Sequence, residues 1–156
     1  GSLTNPVTGL PDSALVDEKL AELLGKDDVA ILVVSIENMD AFREVYGFVA
    51  SDDVLRAISF MIVNTMREAS RPEDFLGHLN GSDFILTFPP SNLQTLSEKL
   101  QARLEQSLEY FYPINDREKM VKNNDRLSSK LAEIPSIKDR FTTVDQIKAE
   151  LARLKK

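Results

Sequence analysis

Few side chains in this sequence could do chemistry, and most of them are acids. Cysteine is absent and there is one histidine, His78. Thiol nucleophiles, thiolate metal sites and histidine-dependent triads therefore lack their material. Carboxylates are hard oxygen donors suited to a divalent cation. Glu37 stands two residues after Ser35 at the end of an apolar run, so the two share one strand face. Asp83 follows Asn80-Gly81-Ser82, and Asn-Gly between apolar runs is the strongest short-range hairpin cue. Arg71 precedes Asp74 by three residues, a spacing whose plain reading is a surface ion pair at a helix end.

The elements that must position these groups follow from periodicity. An N-cap at Asp12 or Ser13 opens a helix through Leu23 and Leu24, and Gly25 ends it. Val29 to Ile36 is a β-branched run of strand length, expected to be buried on both faces. A short helix from Met39 to Tyr46 stops at Gly47. A long one is expected from an N-cap at Asp52 to about Ala69, with Leu55, Ile58, Ile62 and Met66 inward. Two strands, Phe75–Leu79 and Asp83–Phe88, flank the Asn-Gly turn. Ser91 should cap a helix reaching Tyr110, which Pro113 ends. Residues 114–125 read as a surface loop, 127–134 as a strand, and Thr142 or Thr143 as the cap of a terminal helix.

The order is α-β-α-α-β-β-α-β-α, an α+β fold with helices flanking a largely antiparallel sheet. Gly1-Ser2 reads as a cloning remnant, and 3–156 as a single domain excised from a longer signalling protein. A net charge of −6 gives no basic footprint for duplex DNA or RNA. No apolar run reaches bilayer-spanning length, and a cytoplasmic location is expected.

Four strings, in order and at compatible spacings, resemble the GGDEF domain, the catalytic module of diguanylate cyclases. Val7 to Pro11 resembles the entry motif DxLTGLxN, with Asn5 where Asp is usual. Ser35 to Gly47 is similar to DxDxFKxxNDxYG, and Ser51-Asp52 with Leu55 to the following GDxxL. Arg71 to Phe84 fits RxxDxxxRxGGDEF. The resemblance implies a ferredoxin-like nucleotidyl-cyclase core. In the family, two domains join two GTP molecules into cyclic di-GMP, with Mg²⁺ held by the first Asp of DxD and the third letter of the hairpin.

Here those metal positions are Ser35 and Ser82, neutral hydroxyls. The hairpin reads Asn80-Gly81-Ser82-Asp83-Phe84. The family's guanine-reading Asn is Arg43, a donor-only group, while its other guanine contact is retained as Asp52. The resemblance thus implies a catalytically degenerate domain with no cofactor. The alternative is an active cyclase using Mg²⁺ through displaced ligands, for which Glu37 and Asp83 are the candidates, their plain reading being solvated acids. RxxD, five residues ahead of GGDEF, is the family's product-binding site, so Arg71 and Asp74 are the candidate contacts to cyclic di-GMP. Arg can donate twice to guanine O6 and N7, while a carboxylate accepts from N1 and N2. Homodimerisation or docking to other signalling domains is the companion expectation. His78 stands at a family Arg and is expected to be half-exposed without a role. Lys155 stands at a phosphate-reaching Lys, with a plain helix-end reading. Tyr110, Phe111 and Tyr112 are expected to pack under the long loop.

Overall fold

The computed structural model of the chain describes residues 3–26, 28–121 and 124–155; Gly1-Ser2 lies outside them. Its elements are α1 (Ser13–Leu23), β1 (Ala30–Glu37), α2 (Met39–Tyr46), α3 (Phe48–Arg67), β2 (Phe75–His78), β3 (Asp83–Phe88), α4 (Leu93–Ser107), α5 (Arg117–Val121), β4 (Ser128–Ile134) and α6 (Val144–Lys155). The four strands form one antiparallel sheet in the order β2-β3-β1-β4. This is the α+β arrangement the element order predicts.

The run Ala30–Ile36 is buried because it is apolar in both registers of the strand alternation. Leu32, Val34 and Ile36 join Phe84, Leu86 and Phe88 against α2, α3 and α4, through Phe42, Ile58, Ile62, Leu100 and Leu104. On the other face Ile31, Val33, Ile85 and Ile134 meet Val16 and Leu20 of α1, and Ile147 and Leu151 of α6. Each such aliphatic side chain stabilises the fold by roughly 1.5–3 kcal/mol when fully buried. Gly77 lets α1 approach β2: a Cβ there would lie 2.6 Å from Val16 Cγ2.

Several boundaries differ from expectation, each for a local reason. The long helix starts at Phe48, four residues before Asp52, so Asp52 is not its N-cap. Gly47, at φ +91° and ψ 174°, ends α2 and begins α3 in one residue. A side-chain cap is unnecessary where glycine alone turns the chain so sharply. Ser91 does not cap α4 either; Pro90–Asn92 forms a 3₁₀ turn ahead of Leu93. That helix ends at Ser107 and tightens into a 3₁₀ turn, Leu108–Phe111.

The stretch read as a loop contains a 3₁₀ turn, Ile114–Asp116, and the short helix α5; Lys122 and Asn123 lie outside the described residues. It is pinned by aromatic packing and hydrogen bonds. Phe42, Tyr46 and Tyr112 cluster at centroid distances of 4.8–5.7 Å. Tyr46 donates to Asp116 Oδ2 at 2.6 Å, and Tyr112 Oη accepts from Leu127 N at 2.8 Å. Tyr112 is buried as expected, whereas Tyr110 is exposed beneath the Arg117 guanidinium. At α6, Thr143 Oγ1 accepts from Gln146 N, and Gln146 reaches back to Thr143 N, a reciprocal cap. Among the described residues no helix is long and apolar enough to cross a membrane.

Candidate functional site

At the far end of β1 the ladder places Ser35 directly opposite Asp83 on β3 and Lys130 on β4. Facing residues in an antiparallel ladder project to the same side. Ser35, Asp83 and Ile85 therefore lie on the face covered by α1 and α6. Ser35 is buried. Asp83 is not the solvated acid the sequence suggests: its side chain is 15% exposed and ion-paired with Lys155 Nζ at the end of α6. Lys155 is drawn inward by that charge rather than standing free at the helix terminus, and Lys130 Nζ donates to the Lys155 carbonyl. Asp83 and Lys155 line a groove of about 270 Å³ between α1, α6 and the sheet.

Glu37 is exposed, opposite Ser128 and beyond the last β1–β3 pair, so it and Asp83 are offset diagonally. Ser82 presents its backbone, its carbonyl accepting from Ile36 N at 3.0 Å, while Leu79 N donates to Asp83 O and closes the turn over Asn80 and Gly81. Phe84 is fully buried in the core. Among the described residues no group of three or more acids and histidines is gathered in one place.

The α2–α3 junction is filled by its own side chains. Arg43 donates through Nε to Ser51 Oγ at 3.3 Å and through Nη1 to Asp40 Oδ1 at 3.1 Å, and its guanidinium lies 5.4 Å from the Phe48 ring centroid. Ser51 is fully buried and donates to Phe48 O. Asp52 is half-buried beside it.

Arg71 and Asp74 do come together, but on each other. The Asp74 carboxylate accepts from Arg71 N at 2.9 Å and Arg71 Nε at 3.1 Å, so both its oxygens are engaged. Its side chain is 4% exposed, against 39% for Arg71, whose Nη1 also lies 3.3 Å from Glu73. The motif forms a closed turn at the entrance to β2.

His78 departs most from expectation. It is buried, stacks on Phe84 and uses both ring nitrogens. Nε2 lies 2.8 Å from Gly81 O, which can only accept, so this nitrogen carries a proton. Nδ1 lies 3.2 Å from Thr8 Oγ1, and His78 N donates to Pro11 O. The histidine thus ties the entry segment to the hairpin turn. Only the proximity of Thr8-Gly9 to the hairpin, a tertiary fact, could have signalled this role.

Solved structures carry the same architecture. The diguanylate cyclase SiaD of Pseudomonas aeruginosa, in complex with its activator SiaC, superposes at a TM-score of 0.72 with 15% identity, covering 98% of this chain and 56% of that one. The GGDEF domain of DgcB from Caulobacter crescentus, in complex with c-di-GMP, gives 0.65 with 19% identity, over 99% and 91%. In sequence, diguanylate cyclase DgcP of Pseudomonas aeruginosa is 28% identical over 111 residues, 66% of this chain and 16% of DgcP, so the chain spans a small part of that relative. The family model for the diguanylate cyclase GGDEF domain matches residues 2–124, and the chain belongs to that family.

Proposed function

We propose that this chain is a GGDEF signalling domain that does not make cyclic di-GMP and works by binding, as a receptor for that nucleotide or as a protein-contact module. The observation that carries the reading is the Asp83–Lys155 pair opposite a buried serine. Magnesium wants a near-octahedral oxygen set anchored by carboxylates. At this end of β1 the available groups are the Ser35 and Ser82 hydroxyls, one carboxylate already neutralised by an ammonium, and the exposed Glu37, offset from it beyond the last β1–β3 pair. The residues do not fit the ion, and no phosphoryl-transfer step follows from them. At the other subsite, Arg43 presents only donors, with two of them spent on Ser51 and Asp40. An active cyclase would need Asp83 released and Glu37 drawn across the diagonal.

Support for reception is narrower. Arg71 keeps guanidinium hydrogens beyond its bonds to Asp74 and Glu73, and it is half-exposed at the turn. A guanine edge would have to replace the Arg71 Nε contact on Asp74. The DgcB domain is solved with cyclic di-GMP bound, and SiaD with a protein activator. Both kinds of binding are thus within the family's range.

Incubation with GTP and Mg²⁺, followed by chromatography, should yield no cyclic di-GMP; a product peak would overturn the non-catalytic reading. Calorimetric titration with cyclic di-GMP decides between the binding modes. Heat lost in Arg71→Ala identifies reception at this turn, whereas no heat from the unaltered chain leaves protein contact as the function.

A further inference from the structure

The solvent face of α3 carries a pattern that is complementary to itself. Val49, Asp53, Arg56 and Phe60 fall on one stripe about 60° wide at 3.6 residues per turn. It lies opposite the inward-facing Leu55, Ile58, Ile62 and Met66. All four are exposed, Val49 and Phe60 at 76% and 65% of their surface. Asp53 and Arg56 bond to each other at 2.8 Å within the helix and remain open to solvent. Turning the helix end over end about the midpoint between Asp53 and Arg56 exchanges Val49 with Phe60 and Asp53 with Arg56. A two-fold interface requires this: the same patch meets itself, with each residue opposite its complement.

From this we infer that a second copy of this chain docks on the α3 face, the two helices packing antiparallel across a two-fold axis. Val49 of each copy packs on the partner's Phe60, and each Asp53 faces the partner's Arg56. The charges specify the occupant. A partner of one charge sign would gain from Asp53 or Arg56 and lose from the other, whereas this chain reversed gains from both. A single helix face buries area at the small end for specific complexes, so association should be weak and concentration-dependent. The inference rests on the protein-contact reading but uses none of the nucleotide subsites.

The absence of cysteine gives a clean background for crosslinking. Val49→Cys and Phe60→Cys chains, purified separately and mixed under mild oxidation, should form a disulfide-linked pair several-fold faster than Val49→Cys mixed with Asn64→Cys. Sedimentation velocity of the unaltered chain should show mass rising toward a dimer as concentration approaches ~1 mM. Asp53→Arg and Arg56→Asp should each weaken association at least tenfold, and the double reversal should restore it. All variants should keep the unaltered chain's circular dichroism melt, because the four side chains lie on the surface. Monomeric mass throughout, equal crosslinking in both mixtures, or no rescue by the double reversal would each overturn the inference. None of these would alter the GTP incubation or the nucleotide titration, so failure here is distinguishable from failure of the non-catalytic reading.

Discussion

Two acid–base pairs stand at positions the sequence motifs single out, and they are built differently. Arg71–Asp74 is local: three residues apart, closed into a turn, with the carboxylate buried and the guanidinium half-exposed. Asp83–Lys155 spans 72 residues and joins the first residue of β3 to the last turn of α6. A local pair shapes a few residues, and opening it disturbs little else. A long-range pair holds one element against another, so a ligand that takes either partner must also loosen the helix. The hairpin end of the sheet is therefore the structurally committed region, and the turn before β2 the adaptable one.

The sharpest way to break that comparison is to put a carboxylate back at the committed end. Ser35→Asp would bury a second acid opposite Asp83, beside a cation that is already shared. We expect a loss of about 2 kcal/mol in urea unfolding at neutral pH, the order of cost for a buried, incompletely paired charge. Millimolar Mg²⁺ should leave the melting temperature of the unaltered chain where it is. It should raise that of Ser35→Asp, because an added cation would then have two acids to bridge. A Ser35→Asp chain as stable as the parent would mean that Lys155 and Lys130 together can neutralise both charges.

Asp74→Ala comes next, at about 1–1.5 kcal/mol, since it orphans the Arg71 N–H and removes a buried acceptor of two hydrogen bonds. Lys155→Met should cost less, about 0.5 kcal/mol, because its side chain is 41% exposed and water screens the pair. Its signature lies elsewhere: amide exchange should quicken in the last turn of α6 and not in β2. Faster exchange in β2 instead would reverse the assignment of which pair is the long-range tie.

How much of this was legible in the sequence follows the same division between local and long-range. Gly47 and Asn80-Gly81 act within a few residues: α2 stops at Gly47, and two strands flank the Asn-Gly turn, as the sequence places them. The β-branched run Val29–Ile36 fixed a central strand because burial on both faces leaves no polar alternative. Asp52 does not cap α3 because a good capping residue carries no weight when Gly47, five residues earlier, already starts the helix. His78 and Asp83 escape a local reading for a different reason. Their partners, Thr8 and Lys155, lie 70 and 72 residues away, and no spacing rule reaches that far. The candidate site was thus visible as a set of residue types, while its closure by internal partners was not.

The smallest effect concerns a third acid, Asp28, tied over long range at the opposite end of β1. Asp28 accepts from Ser136 Oγ at 2.7 Å and from Lys138 N at 3.1 Å, pinning the link between β4 and α6. Burial pushes its carboxyl up, but the Ser136 hydroxyl and the backbone N–H groups of Lys138 and Ile137 outweigh that and hold it below its ordinary value. A carboxyl depressed in the folded state favours folding fully above the unfolded carboxylate range. That contribution fades as pH falls through the lower folded value. Stability should therefore decline on acidification, and Asp28→Asn should make the decline slightly shallower. The measurement is the urea midpoint of both chains from neutral pH down to the acid range. Parallel curves would mean that the Ser136 and Lys138 contacts persist equally well to a neutral amide, and that this tie, unlike Asp83–Lys155, owes nothing to charge.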